Sequence, residues 1–112
     1  MHIALVSYEF PPENATGGIG SYMYHLSSIL GCAGHRVTVF SANPAATDVV
    51  VLQQGHYTNY LVPAVDNESF RKAVVPVFTS IVLSNKVDVI ESPEVGACAL
   101  HIKENFPQIP ML

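Results

Sequence analysis

The feature that most constrains the fold is an alternation of short apolar runs with longer segments of helical periodicity. Residues 3–7 form a continuous apolar run ending in a small polar residue, which is typical of a strand buried on both faces of a parallel sheet. Residues 36–41 are rich in β-branched side chains and predict a second strand. Between them, apolar residues at steps of three and four predict a helix and complete a β-α-β unit. The predicted apolar stripe of this helix comprises Ile19, Tyr22, Met23, Leu26, Ile29, Leu30 and Ala33.

The middle of the chain leaves alternatives open. Residues 43–44, an Asn-Pro pair, interrupt the pattern, and two apolar pieces follow at residues 49–52 and 57–62. These two pieces compete as the third strand. Both also fit a small hairpin with its turn at residues 54–55, so the sequence alone does not choose between them.

The helical period returns from Phe70, with Asp66 or Asn67 available as the N-cap. Pro76 falls inside this second helix and predicts a kink, because proline lacks an N–H and clashes with the preceding turn. The predicted apolar stripe comprises Phe70, Ala73, Val74, Val77, Phe78, Ile81 and Val82.

Residues 87–91 predict a further strand, and the Ser-Pro-Glu sequence that follows is a strong helix start signal. Ser92 is the expected N-cap and Pro93 the first residue of a third helix, which we expect to end at about Asn105. Residues 109–112 look like the opening of one more strand. The sequence thus predicts a doubly wound α/β fold, with a mostly parallel, Rossmann-like sheet and helices on both faces.

Composition excludes several classes of function. Nine acidic residues against five basic ones give a formal net charge of -4, and no Lys/Arg cluster offers a surface to nucleic acid. The N-terminal apolar run is too short for a signal sequence, and no stretch is long enough to span a bilayer. We therefore expect a cytoplasmic protein without a membrane span. Cys32 and Cys98 lie in apolar helical patterns, so we expect them to be buried free thiols.

The long connection between the first strand and the first helix, residues 8–20, is the leading candidate for a ligand site. In a doubly wound sheet the loop after strand one lies at the carboxyl ends of the strands, where ligands bind. Gly17, Gly18 and Gly20 would allow an anionic group to approach the main-chain N–H groups, and the following helix directs its positive end to the same place. A phosphate group fits this arrangement. The alternative is a long surface loop whose glycines serve only as hinges.

Two familiar phosphate-binding motifs do not fit. A dinucleotide fingerprint needs a small residue where Met23 stands, and an acid after the second strand, which ends at Ser41 without one. A P-loop would require a Gly-Lys-Ser/Thr sequence that is missing from this segment.

Three stretches carry a resemblance to a known family. Residues 6–12 (VSYEFPP) with Gly17 to Gly20, residues 34–40 (GHRVTVF) and residues 88–94 (DVIESPE) occur in the right order and spacing. Together they resemble the start of a family-four retaining glycosyltransferase, also called glycosyl transferase group 1. The resemblance implies the GT-B fold, in which two Rossmann-like domains face each other across a cleft. Residues 1–112 would then be the N-terminal, acceptor-side domain, incomplete at its C-terminal end.

The resemblance also implies roles for particular residues. The loop segment Gly17, Gly18, Ile19 and Gly20 would face the diphosphate of a nucleotide-sugar donor. A sugar or lipid-linked acceptor would be held on this domain. By their positions, Glu9 in the long loop and Glu91 at the end of the last strand are the candidates to contact it. The alternatives are that Glu9 is simply solvated in the loop and that Glu91 only favours the N-terminus of the third helix. No metal or other cofactor is required, and the catalytic residues would lie beyond Leu112, so this chain alone is expected to be inactive.

Two other functions stay open at this point. One is a stand-alone Rossmann-like nucleotide-binding module, and the other is a receiver-like signalling domain, for which only Glu9 fits the expected acidic pair after strand one. A sheet that lacks its last strands would also expose an unpaired edge. We therefore expect a homodimer through that truncated edge.

Overall fold

The computed structural model describes residues 1–11, 18–93 and 97–111, and within these ranges it contains five strands and three helices. In chain order the elements are β1 (His2–Val6), α1 (Gly18–Cys32), β2 (Arg36–Asn43), β3 (Val50–Gln54), β4 (Tyr57–Pro63), α2 (Asn67–Ser84), β5 (Val89–Glu91) and α3 (Leu100–Asn105).

The strands form one sheet in the order β3-β4-β2-β1-β5, in which only β3 runs antiparallel to its neighbour. Both middle pieces of the chain are strands, since β3 and β4 pair as a hairpin that closes with Gln54 opposite Tyr57. At the other edge Met111 forms a parallel bridge to Ile90, so the predicted strand opening after residue 109 is present as a single bridge. The predicted fold class is confirmed.

Strand β1 is buried along its whole length because helices cover both faces of the sheet. Its side chains alternate between two cores, with Ala4 and Val6 in the one that contains α2 and α3. Ile3 and Leu5 point to the opposite face, where Met23 of α1 completes the second core. This alternation is what a strand buried between two helical layers requires.

Helix α1 is rotated relative to the stripe that its periodicity predicts. Its buried residues are Gly20, Met23 and Ser27, whereas Tyr22 and Ile29 of the predicted stripe are exposed. Two small residues on the inner face bring the helix close to the sheet, so the larger apolar side chains fall on its flank. The expectation for Cys32 was wrong, because this thiol is exposed at the end of α1, while Cys98 is buried and both cysteines are free.

Helix α2 follows its sequence pattern closely. Asp66 is the N-cap and forms a capping box with Ser69: the Ser69 N–H donates to the Asp66 carboxylate over 2.8 Å. Phe70, Val74 and Phe78 are buried, as the predicted stripe requires. Pro76 lies inside the helix on its exposed side, away from the core.

The predicted start of the third helix was wrong. Helix α3 begins at Leu100 instead of Pro93, and Ala99 at its N-cap makes no side-chain capping bond. The hydroxyl of Ser92 donates instead to the Val6 carbonyl over 2.7 Å, which ties the end of β5 to β1. The Ser92 hydroxyl, which the local pattern assigned to a helix cap, is thus used in a tertiary hydrogen bond. The predicted end of the helix at Asn105 is confirmed.

None of the helices in the described part of the chain has the length and apolar character needed to cross a membrane.

His2 joins three elements at the amino end of the sheet. Its ring nitrogens lie 2.8 Å from the Lys86 carbonyl and 2.7 Å from the Thr38 hydroxyl, and its backbone N–H donates to the Asp88 carboxylate. A carbonyl accepts only, so Nδ1 carries the proton and Nε2 accepts from Thr38. Burial lowers the pKa of His2 below its ordinary value of 6.5.

The lowered pKa of His2 predicts a loss of stability in mild acid. The folded state favours the neutral ring, so the stabilisation is present above pH 6.5 and is lost as the pH falls below that value. We expect the free energy of unfolding to decrease between pH 8 and pH 5 in denaturant titrations. A His2→Leu variant should be less stable at pH 8 but should show a flatter pH dependence. An equally steep dependence in the variant would contradict this assignment.

Replacing Phe78 should test the core between α2 and the sheet. Its ring lies 5.3 Å from that of Phe40 and 5.4 Å from that of Phe106, with no exposed surface. Phe78→Ala should therefore cost about 3–5 kcal/mol of unfolding free energy. Leu83→Ala is the matched control on the same helix, since Leu83 is 83% exposed, and it should change stability by less than about 0.5 kcal/mol. Similar losses in both variants would contradict the described packing.

Candidate functional site

The strand order creates a switch point beside β1. The chain moves from β1 to β2 on one side and later crosses from β4 to β5 on the other side. Crossovers that leave neighbouring parallel strands in opposite directions open a crevice at their carboxyl ends. The segment after β1, the end of β5 and the starts of α1 and α2 all belong to this edge of the sheet.

The segment that follows β1 is held firmly at its start. The Ser7 N–H donates to the Phe40 carbonyl over 3.0 Å, and the Ser7 hydroxyl donates to the Glu9 carbonyl over 2.8 Å. Phe10 is fully buried and packs edge-on against Tyr57, with ring centroids 5.3 Å apart. These contacts fix the backbone around Glu9 and leave little freedom at the entrance of the loop.

A small cavity of about 30 Å³ lies at the switch point, enough for one or two waters. Residues from four parts of the chain meet at this cavity, and the sequence alone did not predict that they would. The lining residues are Ser7, Tyr8, Glu9, Ile19, Asn67, Pro93 and Cys98. Asn67 and Cys98 come together through a contact of 3.5 Å between the thiol and the amide oxygen. No short motif signals this pair, because 31 residues separate them in sequence.

Glu9 contributes an unusual carboxylate. Its Oε1 atom is buried and has no hydrogen-bond partner in the described part of the chain. A buried acceptor needs a donor, and the adjoining cavity has room for one, either a water molecule or a hydroxyl group from a ligand. The structure therefore brings the predicted residue Glu9 to the switch-point cavity.

Gly20 explains why the start of α1 can lie so close to Glu9. A Cβ atom at Gly20 would lie 3.3 Å from the Glu9 Cβ and 3.5 Å from Pro11 Cδ. Among the described residues, nothing lies within 4 Å of a Cβ placed at Gly18. The two glycines thus differ: Gly20 permits close packing of the helix on the loop, whereas Gly18 faces open space.

Gly18, Ile19 and Gly20 form the first turn of α1. The first N–H groups of a helix have no partner within the helix, and they carry its partial positive charge. Gly17, the fourth residue of the predicted diphosphate segment, lies outside the described residues, as does most of the loop before it.

Glu91 lies at the same edge of the sheet but does not line the cavity of Glu9. It ends β5 opposite Leu5 of β1, and burial raises the pKa of its carboxyl group above the ordinary value. The alternation along β5 places Glu91 on the face of α1, because Ile90 belongs to the opposite core. Glu9 and Glu91 therefore lie at the same edge of the sheet but not in the same cavity.

The residues around the cavity are partly desolvated. Burial raises the pKa of Tyr8, and the charges of Asp66 and Glu9 act in the same direction. Burial likewise raises the pKa of the Cys98 thiol, so this cysteine is neutral rather than a nucleophilic thiolate. Within the described ranges no group of three or more His, Cys, Asp or Glu side chains comes together as a metal site would require.

The structure defines a doubly wound α/β domain in which the carboxyl edge of the sheet combines a glycine-rich helix start with a buried carboxylate. One stretch of 48 residues is 48% identical to a glycogen synthase of Mycobacterium tuberculosis, in the sequences of both strain CDC 1551 / Oshkosh and strain H37Rv. The stretch is 43% of this chain and 11% of that enzyme, so the match spans about a tenth of the curated relatives' length. No family profile matches the chain.

Two solved structures share the fold of this chain. The fold superposes on sucrose-phosphate synthase from Thermosynechococcus elongatus with a TM-score of 0.67 and 20% identity, covering 94% of this chain and 30% of that one. A second structure of the same enzyme gives a TM-score of 0.54 over 82% of this chain and 50% of that one, with 19% identity. Together with the glycogen synthase match, this confirms the resemblance to part of a GT-B glycosyltransferase.

The two glycines of α1 provide a matched test of the site's packing. Gly18→Ala should stabilise the protein by about 0.4–1 kcal/mol, because alanine restricts the unfolded chain and meets no neighbour. Gly20→Ala should destabilise it, because Glu9 is fixed on both sides by Ser7 and Phe10 and cannot easily move away. Thermal unfolding of the two variants measures the difference. A Gly20→Ala variant as stable as Gly18→Ala would contradict the close contact.

Proposed function

We propose that this chain is the front part of the N-terminal domain of a family-four retaining glycosyltransferase of the hexosyltransferase type. On this proposal the whole enzyme moves a sugar from a nucleotide-sugar donor to an acceptor. Residues 1–112 contribute the acceptor side of the cleft and one wall of the donor diphosphate site. The sequence resemblance to a glycogen synthase and the fold shared with sucrose-phosphate synthase support this assignment. A cytoplasmic location is part of this proposal.

The start of α1 at the switch point is the observation that carries the proposal. Gly18, Ile19 and Gly20 hold the helix positions whose N–H groups have no intrahelical partner, directly after the loop that follows β1. A diphosphate that leaves during sugar transfer gains negative charge, and fixed N–H donors with the helix dipole stabilise that charge. Gly17 joins this set in the proposal. This stabilisation needs no metal ion.

The acceptor is assigned to the carboxylates at the same edge. Glu9 has a buried oxygen that finds no partner among the described residues, and an acceptor hydroxyl would supply it with one hydrogen bond. Glu91 is partly buried and its raised pKa reflects incomplete solvation, so it too gains from a donor supplied by the ligand. A sugar hydroxyl, free or on a lipid-linked acceptor, has the required chemistry.

A charge placed at Gly18 tests the donor site in the full-length protein that contains this chain. None of the described residues lies within 4 Å of a Cβ at Gly18, and an acid in the first turn of a helix is compatible with folding, so Gly18→Asp should leave the domain intact. The new carboxylate would repel a donor diphosphate. We expect the donor KM to rise about tenfold or more, equivalent to about 1.4 kcal/mol of lost binding. Steady-state rates with UDP-glucose, ADP-glucose and GDP-mannose provide the measurement.

Two controls sharpen this test. Gly55→Asp adds the same charge at the hairpin turn, at the opposite end of the sheet, and should leave the donor KM within about twofold, since among the described residues nothing lies within 4 Å of a Cβ at Gly55. Glu9→Gln should raise the acceptor KM while leaving the donor KM nearly unchanged. The chain of residues 1–112 alone should transfer no sugar. An unchanged donor KM in Gly18→Asp, or transfer by the isolated chain, would refute the proposal.

A further inference from the structure

The hairpin edge of the sheet presents an unusual strand to solvent. β3 pairs only with β4, and none of the described residues lies against its other side as a further strand. Three consecutive valines are exposed there: Val49 by 43%, Val50 by 40% and Val51 by 48%. Exposed edge strands normally carry charges or proline that discourage pairing. The strand Val50–Gln54 has neither.

The register of the hairpin identifies which backbone groups are left unpaired. Gln54 and Tyr57 flank the two-residue loop and form a hydrogen-bonded pair. Hydrogen-bonded and non-hydrogen-bonded pairs alternate in an antiparallel ladder, so Leu52 and Val50 also bond to β4. The N–H and C=O groups of Val51 and Gln53 consequently point away from β4, toward the open edge.

We propose that β3 pairs with β3 of a second copy of this chain, antiparallel and about a twofold axis, to give a continuous sheet of ten strands. Residues at this edge are complementary to themselves when Val51 lies on the axis opposite its counterpart. In that register Val50 faces Leu52 of the partner subunit and Val49 faces Gln53 of the partner subunit. Asp48 then faces an uncharged amide, Gln54 of the partner subunit, so no like charges oppose each other.

Self-pairing satisfies both features of the edge at once. The outward groups of Val51 gain two hydrogen bonds across the axis, and those of Gln53 gain two more near residue 49 of the partner. The valines lose water from side chains that are between two fifths and half exposed. A charged or proline-rich peptide would pair with the open backbone groups of β3 but would not cover its exposed valines. A second copy of the chain does both and is therefore the better occupant. This interface lies at the opposite edge from Met111 and leaves the carboxyl edge of the sheet free.

Substitutions at Val51 test the interface. Val51→Lys places two like charges face to face at the axis, and Val51→Pro removes an outward N–H without touching the bonds to β4. We expect sedimentation equilibrium to show a concentration-dependent dimer for the wild type and at least a tenfold weaker one for both variants. Val65→Lys is the control, because Val65 is 72% exposed outside this edge, and its dimer should match the wild type.

Amide hydrogen exchange provides a second measurement, which shows whether β3 itself forms the dimer interface. The N–H groups of Val51 and Gln53 should be protected at high protein concentration and exchange freely on dilution, while those of Leu52 stay protected throughout. Circular dichroism melts confirm that Val51→Lys is folded. A wild type that stays monomeric at millimolar concentration would overturn the proposal. So would a dimer that Val51→Lys leaves unchanged, which would instead place the interface at another surface, such as the β5 edge.

Discussion

The parallel pairing of β1 with β2 on one side and β5 on the other is the constraint on which the rest of the structure depends. It requires β1 to be apolar on both faces, because a helical layer covers each. The chain leaves β1 on the side of β2 and later adds β5 on the other side of β1. This reversal of direction opens a crevice at the carboxyl ends of β1 and β5. The hydrogen bond from the Ser92 hydroxyl to the Val6 carbonyl then holds the carboxyl ends of β5 and β1 together. The candidate site is a consequence of this topology.

Within that crevice, two small residues set the geometry. Gly20 lets the start of α1 contact Glu9, and Ser27 lets the same helix approach the sheet. The close approach brings a positive helix terminus and a buried carboxylate to one edge. On the proposed function, the diphosphate of a sugar donor would lie at the helix terminus and a hydroxyl group of the acceptor at the carboxylate.

Much of the fold could be predicted from the sequence, for reasons visible in particular elements. The order β1-α1-β2 and the stripe of α2 follow from periodic patterns that burial imposes. The inner face of α1 does not, because Gly20 and Ser27 are buried there while Tyr22 and Ile29 of its predicted stripe are exposed. The start of α3 could not be predicted, since Ser92 bonds to a strand distant in sequence. The hairpin was ambiguous because the valines of β3 are apolar yet exposed. For the site, the approximate positions of Glu9 and the helix start were predictable, whereas Asn67 and Cys98 meet only through tertiary packing.

The most direct test of the central claim is a titration of the full-length protein, ¹⁵N-labelled, with UDP, ADP and GDP in separate NMR experiments. If the N–H groups at the start of α1 hold the donor diphosphate, one of these nucleotides should shift the amide signals of Gly18, Ile19 and Gly20 in a saturable manner. Signals at the opposite end of the sheet, such as Lys86 and Asp88, should stay in place. Saturable binding of a nucleotide that leaves the three amides of α1 unmoved would contradict the account.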